Sequence, residues 1–326
     1  MNTNSIPTLK SISRKKSFNL SSLTIVFISI VLFTFLSFSS DTFLSTRNIY
    51  SILYGVSFQF FAIIGFTYLM IMGEIDLSVG SVYAFSGMFM GYLMVMMKIP
   101  LIPAMGISLL VCTLFGAVTG FLVVKFRLNS MMVTIATMTL IRGLASNFVN
   151  GMYGATYPSE MRNLSKVEFG GVYLTIIAMV VLVIVLEVLL KRSAIFKRMY
   201  FVGENRQTAR IYGIKSDRIK ITMFAVSALA AAIGGILISA RVTYADTAIG
   251  LGLEFQLLTA AVLGGASLFG GKGSILGSVI GLIFLATILN GMIIFNIEPL
   301  LQQLIIGVIL IVSVFVDTRL NKVNKG

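Results

Sequence analysis

The stretch ILGSVIGLIFLATILNGMII, residues Ile275–Ile294, decides what kind of protein this is, because it carries no charged side chain. A helix needs about 20 mostly apolar residues to cross the hydrocarbon core of a bilayer, and this run has that length. Working outward, runs of the same kind occupy Leu253–Phe269, Ile221–Ala240, Val172–Leu190, Met131–Asn150, Leu101–Val124, Val79–Met97, Tyr50–Met72 and Leu20–Ser39 before it, and Leu300–Val316 after it. The chain of 326 residues is 57% hydrophobic and only 11% charged, where a soluble domain carries about 25% charged residues. The expected fold class is an all-α polytopic membrane protein of about ten transmembrane helices. The pieces around Gly73–Gly80 and Gly264–Ser274 are expected to be broken or re-entrant.

Charge placement orients the spans. Lys10, Arg14, Lys15 and Lys16 precede the first run, which is too long for a cleaved leader and lacks a small-residue cleavage site. With the N-terminus inside, ten spans leave both termini cytoplasmic. The inside segments then carry a net +16, with Glu74 and Asp76 left out, and the outside segments about −1. That asymmetry is the positive-inside pattern. The net charge of +13 is thus a topology signal, and no nucleic-acid partner is expected. The expected layout is a basic cytoplasmic tail (1–19), a single transmembrane domain (20–316) with a cytoplasmic loop at 191–220, and a cytoplasmic tail (317–326). There is no His, which excludes imidazole metal sites, and the lone Cys112 excludes a disulfide or CxxC pair. Neither a metal site nor a catalytic site is expected.

The loop 191–220 is the longest polar stretch expected inside. Its middle, Glu204 to Gly213, reads as a short helix with Asn205 as cap and Gly213 as stop, and with Ala209, Tyr212 and Ile214 giving a small apolar face. Two readings stand: a basic loop that merely fixes orientation, or a docking helix for a cytoplasmic partner. A short isolated helix is marginal without something to pack on.

Four motifs, in order, resemble those of ribose-type sugar permeases of ATP-binding-cassette (ABC) importers, within the group that includes branched-chain amino acid permeases. They are Gly73-Glu74-Ile75-Asp76-Leu77-Ser78-Val79-Gly80-Ser81, Thr134 to Gly143, Gly203-Glu204-Asn205 through Gly213-Ile214, and Ala261 to Ser274. The resemblance covers roughly residues 45–317. Glu74 stands where a second Gly is usual, and the Glu204-Asn205 order is reversed. The resemblance implies a permease subunit of the bacterial cytoplasmic (inner) membrane. It would form a path for a monosaccharide or sugar-like solute, with ATP bound by a separate ATPase subunit and no cofactor in this chain. An extracytoplasmic solute-binding protein, a second permease copy and membrane lipid are the other implied partners. It also implies that Glu204, Asn205, Ala209, Arg210, Gly213 and Ile214 contact the ATPase, and that Asp76, Ser78, Gly80, Gly264, Gly265, Gly270, Gly271 and Gly273 are signature positions.

The residues themselves leave several choices open. Asp76 either caps the next helix at the cytoplasmic mouth or meets the solute. Gly273, Gly277 and Gly281 recur every four residues and suit close helix packing. Gly264-Gly265, Gly270-Gly271 and Gly273 suit a broken helix instead. None of these glycines forms a phosphate loop, because no Gly-Lys-Ser/Thr follows at the required spacing. Arg142 and Glu187 form a buried pair or snorkel separately. Phe58, Gln59, Asn147 and Asn290 are aromatic and amide groups of the type that holds a neutral sugar. The external loop Gly151–Gly171, with Tyr153, Tyr157, Glu160 and Arg162, is either a receiving surface or a connector. Competing functions are an ABC permease for a branched-chain amino acid or nucleoside, an ion-coupled secondary transporter, and a membrane enzyme or scaffold.

Overall fold

The computed structural model describes residues 20–150, 152 and 155–323, so the tail 1–19, Tyr153 and residues 324–326 lie outside the described residues. Among the described residues the chain runs α1 (Leu20–Ser39), α2 (Thr46–Ile71), α3 (Val79–Val95), α4 (Leu101–Lys125), α5 (Ser130–Asn150), α6 (Ser159–Asn163), β1 (Glu168–Phe169), β2 (Val172–Tyr173), α7 (Leu174–Arg192), α8 (Ala194–Glu204), α9 (Arg206–Ile211), α10 (Ser216–Val242), α11 (Leu253–Leu263), α12 (Ile275–Ile294) and α13 (Pro299–Val323). Seven helices are long and apolar enough to cross a membrane: α2, α4, α5, α7, α10, α12 and α13. The other three expected spans coincide with shorter apolar helices, Val26–Ser39 within α1, α3 and α11.

Helix ends follow local chemistry. Ser45 caps α2 by accepting from the Asn48 amide at 3.3 Å, and Ser274 caps α12 by accepting from Gly277 at 3.0 Å. Three boundaries differ from expectation. The run Leu253–Phe269 is helical only to Leu263, because Gly265, Gly270 and Gly271 take left-handed backbone (φ +91°, +79° and +74°) that turns the chain out of the helix. The last span continues past Val316 to Val323, with Arg319 placed one turn on, 5.2 Å from the Phe315 ring. The loop 191–220 is mostly helix: α8 was not anticipated, and α10 starts at Ser216, five residues early.

α10 is the centre of the molecule, packed against α2, α3 and α4. It reads Ser227, Ala228, Ala231, Ala232, Gly234, Gly235, Ser239 along its buried surface, which brings neighbouring backbones close. In a bilayer apolar side chains gain little by leaving lipid, so such close contact is what holds helices together. Gly235 is an example, since the Tyr83 carbonyl and Ser86 Oγ occupy the space a side chain would need. Gly277 and Gly281 do the same on α12, where the backbone of Gly264 and Ala260 rests against them. Gly273 does not join that row; it lies outside the helix at φ +150°.

The loop expected outside holds α6 and a two-residue hairpin turned by Gly170-Gly171, both at positive φ. Tyr50 Oη accepts from the Tyr173 amide at 2.8 Å, and Tyr54 stacks on Tyr173 at 4.0 Å, so the hairpin is fixed to the start of α2. Tyr157 is buried, with its ring against Gly91. Glu160 and Arg162, on α6, form no ion pair among the described residues.

Candidate translocation cavity and coupling segment

Near the hairpin end, α2, α3, α10, α11 and α12 enclose a cavity of about 440 Å³. Its polar lining comes from Ser51 and Gln59 on α2, Tyr83 on α3, Arg241 on α10, Gln256 on α11 and Asn290 on α12. Gln59 Nε2 and Gln256 Oε1 lie 3.5 Å apart across it. Asn290 exchanges both amide hydrogen bonds with Asn48, at 3.0 and 2.8 Å, which holds its side chain at the cavity rim. The Arg241 guanidinium sits 4.6 Å from the Tyr54 ring centre, a cation–π contact, with no acid in ion-pair reach among the described residues. An uncharged amide offers both donor and acceptor, as a hydroxyl-bearing neutral solute requires.

The cavity brings together two of the four expected pathway residues, Gln59 and Asn290. Phe58 is fully buried and packs on Tyr54 at 4.7 Å instead. Asn147 points along its own helix and donates to the Gly143 carbonyl at 3.1 Å. Gln256, Arg241 and Tyr83 were missed. Gln256 had a usable signal: it is an amide of the same type as Gln59, inside an apolar run.

The opposite ends of α2 and α12 meet at two helix breaks. In the first, Asp76 is 2% exposed, and its Oδ1 accepts from the Ser78 amide at 2.9 Å and from Ser78 Oγ at 2.5 Å. Ser227 Oγ on α10 approaches Oδ2 at 3.5 Å. Asp76 therefore tightens the turn that enters α3, while Ser78 occupies the cap position without a capping bond of its own. Glu74 is buried in an ion pair with Lys220 of α10. Gly80 lies against the Gly250 carbonyl and the Glu254 carboxylate.

Of the two readings of Arg142 and Glu187, the buried pair does not form. α5 and α7 pack on different neighbours, α3 and α4 for one, α2, α8 and α12 for the other. Arg142 donates to the carbonyls of Thr247, Ile249 and Gly250 at 3.2, 2.9 and 3.2 Å. Glu187 pairs with Lys191 at 2.8 Å and accepts from the Leu276 amide at 3.1 Å.

In the second break, the Ser267 amide donates to the Lys272 carbonyl at 3.2 Å, and Asp317 of α13 accepts from the Leu268 amide at 3.1 Å. The two breaks touch, with the Gly271 amide donating to the Ile71 carbonyl at 2.8 Å. α8 ends on this contact. The space of a Gly203 side chain is taken by the Ile71 carbonyl and the Gly271 amide, and that of Gly270 by Gly203 and Gly73. Tyr200 Oη donates to the Gly273 carbonyl at 2.8 Å. Burial, then the nearby Glu187 carboxylate, raises the Tyr200 phenol well above its ordinary pKa, so it stays a donor.

Glu204 closes α8, and Asn205 then opens α9, its side chain accepting from the Thr208 amide at 3.0 Å. Gly213 ends the segment at φ +74°, donating to the Arg210 carbonyl at 2.9 Å, while Ile214 donates to Ala209 at 3.0 Å. Ala209 is buried, whereas Ile211 and Tyr212 are 83% and 81% exposed. Arg206 and Arg210 both reach Asp217 at 2.8 Å, fixing α9 to the first turn of α10.

Comparison with known proteins places this geometry. No solved structure matches the chain. The L-arabinose ABC transporter permease protein AraH of Azospirillum brasilense is 33% identical over 90% of this chain and 86% of its own length. The ribose import permease protein RbsC of Haemophilus influenzae is 30% identical over 89% and 91% of the two chains. The D-allose transport system permease protein AlsC of Escherichia coli is 30% identical over 95% and 97%. With seven helices of spanning length, the chain is a multi-pass protein of the bacterial inner membrane. The family model for the permease component of branched-chain amino acid transport systems matches residues 47–314, and the chain belongs to that family.

Proposed function

We propose that this chain is the membrane-spanning permease subunit of an ABC importer for a sugar. It has ten spans with both termini cytoplasmic and no ATPase site of its own. Its similarity to arabinose, ribose and allose permeases supports the solute class, as do the amides of Gln59, Gln256 and Asn290 that line the cavity beside Arg241. A solute-binding protein delivers the sugar at the hairpin end, and a second permease copy completes the path. A separate ATPase docks on α9 through Ile211 and Tyr212.

The observation that carries the coupling role is the attachment of α8 to both helix breaks through Gly203. α2 connects that junction at Ile71 to Gln59 in the cavity, twelve residues or about 18 Å of helix away. A displacement of α8–α9 by the ATPase is thereby delivered to α2 and α12, which wall the cavity. Two of the acids an ion-coupled carrier would use are already engaged, Glu74 by Lys220 and Asp76 by Ser78.

The test is Gly203→Ala in the assembled complex reconstituted in liposomes. The added methyl must displace backbone, so sugar uptake is lost while ATP hydrolysis persists. Normal uptake in this variant overturns the coupling assignment. Loss of uptake and hydrolysis together marks failed assembly, and the milder pair Tyr200→Phe and Ile211→Ala then separates the two explanations.

A further inference from the structure

A second cavity, of about 270 Å³, lies where α4, α9 and α10 meet on the side of the coupling segment. We infer that it binds the headgroup of an anionic phospholipid from the cytoplasmic leaflet. The inference rests on the topology proposed above.

Two antiparallel helices build it with the same vertical order. On α4, Phe121 lies one turn below Lys125; on α10, Ile221 lies one turn further into the span than Asp217. Residues four apart share a helix face, so each wall is apolar toward the membrane core and charged at its rim. Val124 extends the apolar floor. That order matches a phospholipid, whose acyl chains and glycerol lie below its phosphate.

Charge complementarity selects the headgroup. Lys125, Arg127 and Arg210 stand at the rim against a single acid, Asp217. Asp217 is already engaged by Arg206 and Arg210 at 2.8 Å each, which also fixes the Arg210 guanidinium in place. Among the described residues no acid lies within ion-pair distance of Lys125 or Arg127. Arg127 is held at φ +55° just past the end of α4, where the Leu128 amide closes the turn on the Val123 carbonyl at 3.1 Å. Glycine or asparagine takes that position at less cost, yet here a guanidinium is kept there. Basic pockets between helices at the cytoplasmic surface hold anionic headgroups. Because Arg210 belongs to α9, a bound lipid also braces the segment on which the ATPase is proposed to dock.

The experiment is native mass spectrometry of the full-length chain released from detergent micelles supplied with phosphatidylglycerol or phosphatidylcholine. Retained phosphatidylglycerol should exceed phosphatidylcholine. The Lys125→Gln/Arg127→Gln double variant should lower that retention about ten- to thirty-fold, and Phe121→Ser should lower it with the charges intact. Equal retention of the two lipids, or no change in the double variant, overturns the proposal. Inorganic phosphate displacing the lipid at millimolar concentration overturns it in favour of a free-phosphate site. Unchanged lipid retention with lost ATPase co-purification overturns it in favour of a protein contact. Labelling of Lys125→Cys from outside intact cells instead contradicts the topology on which the inference rests.

Discussion

Single residues show how this protein tolerates charge inside a membrane. Glu74 and Lys220 are 7% and 5% exposed and neutralise each other between the first helix break and α10. Removing one partner leaves an uncompensated buried charge, at a cost of about 3–5 kcal/mol. Lys220→Met should therefore lower the thermal unfolding midpoint in detergent sharply, and adding Glu74→Leu should restore most of it. A single variant as stable as the parent would contradict the pairing. Asp76 behaves differently, because an amide oxygen still accepts from the Ser78 amide after Asp76→Asn. That variant should keep most uptake, and total loss at normal expression would assign Asp76 to the solute path. The sequence marked both acids as special but could not supply their partners. Lys220 read as one of nine basic loop residues, and only the early start of α10 carries it into the interior. Whether Arg142 and Glu187 pair stayed open for the same reason, since opposite charges in two apolar runs say nothing about which helices are neighbours.

At the scale of elements, helix positions were legible because run length decides them; α12 occupies Ile275–Ile294 as read. The end of α11 was legible only as a break expected somewhere in Gly264–Ser274, since Ala266, Leu268 and Phe269 continue the apolar run past the positive φ at Gly265. α8 was hidden by Lys197 and Arg198, which fit an orienting loop equally well. Its signal was Met199 and Val202, buried three residues apart on one face. α9 was legible from its cap and its stop. Gly213→Pro cannot adopt φ +74° and loses the bond to Arg210, and Ala209→Asp forces a charge into a buried position. Both variants should uncouple hydrolysis from uptake while leaving the protein in the membrane. Normal uptake in both would remove α9 from the coupling path. In the cavity, residue type pointed to Gln59 and Asn290 but also to Asn147, because only packing chooses among amides in apolar helices. Gln256→Leu deletes one member of the amide pair and leaves Gln59 unpartnered. Sugar uptake should fall about five- to tenfold for the loss of roughly 1 kcal/mol of hydrogen bonding. Unchanged uptake kinetics would place the path elsewhere.

The whole molecule is arranged as two working ends joined by long helices. The cavity occupies the end closed by the hairpin, and the junction of α8 with both breaks occupies the other. α2, α10 and α12 run between them, and α10 packs against three helices through small residues. In the proposed function a push on α8–α9 moves the cavity walls, and a separate ATPase generates that push. The central claim is therefore that an ATPase accompanies this chain. The most direct measurement is purification of the chain from its native membranes in mild detergent, with mass spectrometry of every co-purifying subunit. The account predicts a nucleotide-binding ATPase in stoichiometric amount, with uptake abolished by ATP depletion. A chain that purifies alone, and whose uptake collapses with an ionophore while surviving ATP depletion, would contradict it.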